Sequence, residues 1–395
     1  MHGQFCRTLL ALTFLVATAG CGVRGGFEGH MQRSDGSRGN GSRWASLPDA
    51  PLTPRRSAHA FWVGGRLLVV GGTGADACPP NADCVEPADA PLRDGATYDP
   101  RSETWTTVAE APVPLGPGSA AVVGGHAYLL LSGHGSSHPS VRSAFLAFDA
   151  ETGRWSELAH PGGGGMQMLA PHGGTVIAYH STQENGVRPD LIYNAARDTW
   201  AELPPDPLQP SFDRTFVGTP VGAILFGIED VAQPGVEPAT YRAALLQVDR
   251  WRRLPDSEIV GWNPMWSLLE SHLININIDM VDGGETNNYG RLYPTGGIFD
   301  IESRSWKPLP DTPKTRGDFD GIYAAGGRFI VSGQGWVFDG IAGRWIALDR
   351  PRGAPHAEAA AVWMDESLVV WGGVRWHGSR GELLNDGWIW EPASI

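Results

Sequence analysis

Gly64-Gly65-Arg66-Leu67-Leu68-Val69-Val70-Gly71-Gly72 sets five mainly apolar residues between two glycine pairs. A glycine pair suits a two-residue hairpin turn, whose central residues take positive φ. The run 66–70 therefore reads as the second strand of a hairpin. The same unit recurs along the chain at 127–131, 175–179, 223–227, 272–276, 328–332 and 367–371. Gly124-Gly125, Gly173-Gly174 and Gly326-Gly327 precede three of these runs, and Glu270-Ser271 and Asp365-Glu366 precede two more. A third strand follows in each copy and ends on a polar turn former: Asp99, Asp149, Asn194, Asp249, Asp300, Asp339 and Glu391. Six residues later stands a tryptophan at Trp105, Trp155, Trp200, Trp306 and Trp345; Trp251 follows Asp249 by only two, which implies a shortened hairpin. The seventh copy runs out of chain after Glu391, and Trp44-Ala45-Ser46-Leu47 supplies its missing strand from the other end. Repeats of this length and pattern predict an all-β, seven-bladed propeller of four-stranded antiparallel blades, closed by an N-terminal strand. The tryptophans read as packing between blades rather than as a cofactor box.

Gly71-Gly72 and Gly372-Gly373, with the Tyr98-to-Trp105 spacing, resemble the Kelch repeat. Ser132-Gly133 and Ser332-Gly333 match it in part, and blades three, four and five lack the diglycine. The resemblance spans residues 43–395. It implies blades whose strands run outward from the axis, with the second-to-third and fourth-to-first connections on one face.

Composition agrees. The chain has 395 residues, of which 53 are Gly and 31 Pro, and both residues break helix interiors. Hydrophobic residues make up 42%, enough for a core. Lysine occurs only at Lys307 and Lys314, and a net charge of -13 argues against nucleic-acid binding, which needs basic surface.

Residues 1–20 read as an export signal, with Arg7 ahead of a short apolar run, 9–17, too short to span a bilayer. Thr18-Ala19-Gly20-Cys21 resembles a bacterial lipobox, which implies lipidation of Cys21; Thr18 stands where that family usually has Leu. Cleavage after Ala17-Thr18-Ala19, giving a secreted protein, is the competing reading. Residues 21–42 are rich in Gly, Ser and Arg and read as a flexible tether. The expected location is the cell envelope, anchored by lipid. Gly22 after the cysteine implies the outer membrane in bacteria that have one. Cys6 leaves with the signal, and Cys78 and Cys84, six apart in one loop, are expected to pair in an oxidising compartment.

The connections between second and third strands carry most of the length variation: 73–94, 133–143, 180–189, 228–240, 278–295 and 374–384, with Gly333-Gln334-Gly335 a bare turn in blade six. They would wall a funnel on one face, where binding sites sit on rigid scaffolds. The starts of the inner strands would line its floor, offering Arg56, His59, Asp213, Arg214, Trp262, Asn263, Trp266 and Arg316 for binding. Asp318 with Asp320, and His356 with Glu358, are spaced to share strand faces and are the candidates for acid–base work. Two readings of these charges stand: a catalytic set, or ion pairs bridging adjacent blades. Asp279, Asp282 and Glu285 around Gly283-Gly284 are weak calcium candidates beside a reading as solvated loop charge.

Among propeller enzymes, resemblance to galactose oxidase would imply copper held by Tyr and His with a Tyr–Cys crosslink, and no cysteine is free for it if Cys78 and Cys84 pair. Resemblance to sialic-acid epimerases would imply acid–base residues in the funnel. No G-x-S-x-G, H-E-x-x-H or phosphate-loop motif occurs. The expected function is a monomeric, cofactor-free, surface-tethered module that binds a protein or glycan, with a sugar epimerase or mutarotase as the alternative.

Overall fold

The computed structural model describes residues 43–80, 82–84, 90–133, 141–164, 167–183, 185–229, 240–259, 265–276, 296–310, 313, 319, 322–333 and 335–393. These form seven four-stranded antiparallel sheets in a ring. Blade one is His59–Val63, Arg66–Val70, Gly95–Asp99 and Thr104–Thr107, from the axis outward. Blades two to six span 118–158, 167–202, 211–253, 266–307 and 323–347 in the same order. Blade seven takes Ala360–Met364, Ser367–Trp371 and Gly387–Glu391 from the C-terminal end, and its outer strand is Arg43–Ser46, paired antiparallel to Gly387–Glu391. Each inner strand touches the next around the ring, and the seventh touches the first.

The second strands begin and end within two residues of the predicted runs. Their turns show why. Gly64, Gly65, Gly124, Gly173, Gly174 and Gly327 all have positive φ, and where glycine is missing Glu270 and Asp365 adopt φ of 53° themselves. Blade four departs from the expected end at Asp249: its third strand stops at Gln247, and Val248-Asp249 is the two-residue turn into Arg250–Arg253.

The core is divided into seven wedges, one at each junction between blades. Every wedge contains one repeat tryptophan and one aliphatic residue at or just beyond the end of the preceding blade's outer strand. Trp105 packs with Leu47, Trp155 with Val108, Trp200 with Leu158, Trp251 with Leu203, Trp306 with Leu254, Trp345 with Leu309 and Trp44 with Leu348. In six wedges the indole Nε1 also donates to the carbonyl just after that aliphatic residue. The acceptors are Pro48 for Trp105, Ala159 for Trp200, Pro204 for Trp251, Pro255 for Trp306, Pro310 for Trp345 and Asp349 for Trp44, at 2.7–3.4 Å. Each blade is thus tied to its predecessor, and the strand that closes blade seven is tied to blade six. Trp155 is the exception: its Nε1 is buried without a partner.

Candidate functional site

The antiparallel order of each blade puts the connection from second to third strand on the same face as the entry to the inner strand. In blades one and seven the diglycines fit these two paths together. Gly71, Gly72, Gly372 and Gly373 all have positive φ. A Cβ on Gly72 would lie 2.6 Å from the Arg56 carbonyl, and one on Gly373 would lie 2.7 Å from the Ala357 carbonyl. The backbones cross too closely for any side chain.

The entry segments themselves are kinked. Ser57, Asp213, Phe319 and Glu358 take φ of 48–55°, a left-handed conformation that costs non-glycine residues energy. The kink at Glu358 overturns the expectation that His356 and Glu358 share a strand face. His356 Nδ1 accepts from the Trp376 amide at 2.9 Å. Glu358 instead reaches back to blade one, pairing with Arg56 and accepting from Ser57 Oγ at 2.9 Å. Arg56 also donates through Nε to the Ala75 carbonyl at 3.1 Å and through Nη2 to that of Asp76 at 3.2 Å, holding the disulfide loop against the seam. Cys78 and Cys84 are bonded, with Cα atoms 5.8 Å apart.

Three expected funnel residues are buried instead. His59 is 1% exposed, lies against Phe61 and bonds through Nε2 with the Gly116 carbonyl at 3.1 Å; burial lowers its pKa. Trp266 stacks on Phe226 with ring centroids 4.1 Å apart. Arg214 is enclosed between blades three and four, donating to Asp190 at 3.0 and 2.7 Å, to Asp206 at 2.9 Å and to the His180 carbonyl at 2.9 Å. The physical reason is common to all three. Inner strands pack sheet against sheet, so their side chains enter the wedges rather than the axis. Asp213 stays half-buried at the register break between Phe212 and Thr215. Burial raises Asp190 above the ordinary carboxylate value, although Arg214 opposes the shift. Cys21, Trp262, Asn263, Asp279, Asp282, Glu285, Arg316, Asp318 and Asp320 lie outside the described residues.

Several partners escaped the sequence reading. In blade one Arg55, not Arg56, is fully buried; it donates to both Asp94 oxygens at 2.8 Å and holds that carboxyl below its usual range. Asp94, Asp190 and Asp386 each immediately precede a third strand, a repeated position visible in the sequence. The connection 374–384, expected as a loop, contains a two-stranded hairpin, Val374–His377 with Arg380–Leu383. Trp376 lies half-exposed across Gly381, where a Cβ would come within 3.0 Å of the ring. Arg375 and His377 flank Glu382 on the other hairpin face, at 3.8 and 3.0 Å.

At the seam of blades seven and one, then, a stiff hairpin and a disulfide-closed loop stand side by side, joined beneath by Arg56 and Glu358. Such an arrangement offers fixed hydrogen-bonding groups and an aromatic surface. No family model matches the chain, and no curated protein matches it. Solved structures do match, 374 chains in all. One of them, described as the structure of YjhT, is 13% identical, covers 86% of this chain and 95% of its own, and superposes with a TM-score of 0.44.

Proposed function

We propose that this chain is a binding module of the Kelch-propeller type, exported and held to the cell envelope by a lipid on Cys21, whose loop-bearing face receives a protein or glycan partner. The observation that carries the reading is the stiffened pair of connections at the seam of blades seven and one. Rigid loops on a rigid ring lose little entropy on binding. The charges between them are engaged in an ion pair, an arrangement suited to shape rather than to proton transfer.

The test is to purify the full chain from membranes in detergent and assay it on an array of surface glycans and by crosslinking in cells. A specific hit weakened by Trp376→Ala or by Arg375→Ala supports the reading. Turnover of a sugar acid that depends on His356 and Glu358 would replace it with the epimerase alternative. Cys21→Ser should release the chain from the membrane fraction; retention would sink the anchor.

A further inference from the structure

The seam between blades one and two differs from the other junctions described above. Trp155 packs against the wedge there, but its Nε1 has no acceptor. The aliphatic residue supplied by blade one is Val108, where each of the other blades supplies Leu at the matching place. Val is a carbon shorter than Leu and fills less of the wedge. The linker is pinned elsewhere, with the Ala109 amide 3.4 Å from the Gly153 carbonyl. A cleft of about 590 Å³ lies at this seam, between the outer halves of blades one and two. At the seam of blades four and five, where Trp306 is bonded to Pro255, the matching recess holds about 100 Å³.

The chemistry of the walls is specific. Blade one presents Thr97, Thr104 and Thr106 to the cleft. Arg66 and Asp99 stand at one edge as a pair 3.6 Å apart, and Arg154 and Glu151 stand at the other. Beneath the cleft Phe148 is fully buried, with the Trp155 ring beside it at 5.2 Å between centroids. Hydroxyls both donate and accept, and paired Arg and Asp present planar groups that match neighbouring hydroxyls on a sugar. Two positive and two negative side chains balance, so the cleft favours no net charge on its occupant. Its volume falls in the range of small-molecule sites.

We propose that this cleft binds a neutral carbohydrate of one or two sugar units. It is distinct from the loop-bearing face: the turns 100–103 and 150–153 that border it lie at the opposite end of the blades. It does not depend on the function proposed for that face.

The test uses the full chain in detergent with cellobiose, maltose and lactose as probes, and glucuronic acid as the charged control, read by ligand-observed NMR and by the indole N–H resonance of Trp155 assigned with Trp155→Phe. At least one neutral disaccharide should bind at about millimolar or better Kd and shift the Trp155 resonance. Thr104→Val and Thr106→Val keep strand propensity at exposed positions and should weaken that binding by about tenfold, the worth of one hydrogen bond. Arg250→Ala, on the exposed outer strand of blade four, should leave it unchanged. The proposal is overturned by a blank disaccharide panel on folded protein, by binding indifferent to both threonine variants, or by tighter binding of glucuronic acid.

Discussion

Replacing Arg214 with Leu probes how the junction of blades three and four is held. The side chain is wholly enclosed and makes four hydrogen bonds, three of them to Asp190 and Asp206, whose side chains are 4% and 0% exposed. Leu would remove all four and leave two buried carboxylates facing an apolar group. Removing one partner of a buried ion pair costs about 3–5 kcal/mol, and two stranded anions place this case in the upper half, about 4–5 kcal/mol. Unfolding entropy of about 2.1 cal/mol/K per residue over the roughly 290 described residues converts that loss to a Tm drop of about 7–8 °C. Differential scanning calorimetry at pH 7.5 on Arg214→Leu would measure it. The triple variant Arg214→Leu/Asp190→Asn/Asp206→Asn should recover at least half. Its charges are gone, while the side-chain amide at position 206 keeps an acceptor for the Leu208 N–H, now bonded to Asp206 at 2.8 Å. Acidification should also rescue the single variant, since buried carboxyls deprived of their cation regain stability as they take up protons. A drop under about 1 °C, or a triple variant less stable than the single, would refute the assignment of the cost to buried charge.

Three further outcomes follow from the same geometry. Trp251→Phe loses the bond to the Pro204 carbonyl and should cost about 1 kcal/mol more than Trp155→Phe, which has no such bond to lose; equal urea midpoints would count against the inter-blade ties. Gly373→Ala sets a Cβ 2.7 Å from a backbone oxygen at φ of 91° and should destabilise by about 2 kcal/mol or more, whereas Gly124→Ala, with open space around it, should cost about 1 kcal/mol; thermal melts compare them. Stability should fall with acid in two stages. Buried His59 is held below 6.5, so its contribution is full above that value and is lost as pH falls through its lowered pKa. Asp94 is held below 3.8 by Arg55, so its contribution is lost only at lower pH, while Asp190 shifts the opposite way and softens the decline. His59→Asn should flatten the first stage in melts between pH 8 and 5; an unchanged slope would exclude His59 as its source.

The ring was legible because its determinants are local. A two-residue turn demands positive φ at adjacent positions, and Gly64-Gly65 or Gly173-Gly174 declare that in the sequence; Trp44 declares the closing strand by matching the motif that blade seven lacks. The repeat also contained a signal left unread. Trp-x-x-Leu, or Trp-x-x-Val in blade one, occurs in all seven blades and specifies both the wedge contact and the carbonyl that accepts the indole bond. The site residues were less legible because their roles depend on which side of a sheet they face and on partners distant in the chain. Glu358 and His356 have strand spacing, but one left-handed residue turns them apart. Arg214 and Trp266 have the composition of binding residues, yet the packing of one sheet on the next claims them. Nothing near Arg55 in sequence announces Asp94.

Closure of blade seven has a bearing on biogenesis. Arg43–Ser46 leaves the ribosome long before Gly387–Glu391, its only sheet neighbour among the described residues. Throughout synthesis the growing chain therefore has an unmatched edge at one end and an incomplete sheet at the other. The early strand is four residues long and begins with a charged arginine, features that discourage wrong pairing at an open edge. Among the described strands the first to be made is the last to be placed, so a cell making this protein must shelter the unfinished ring until Arg43–Ser46 meets Gly387–Glu391.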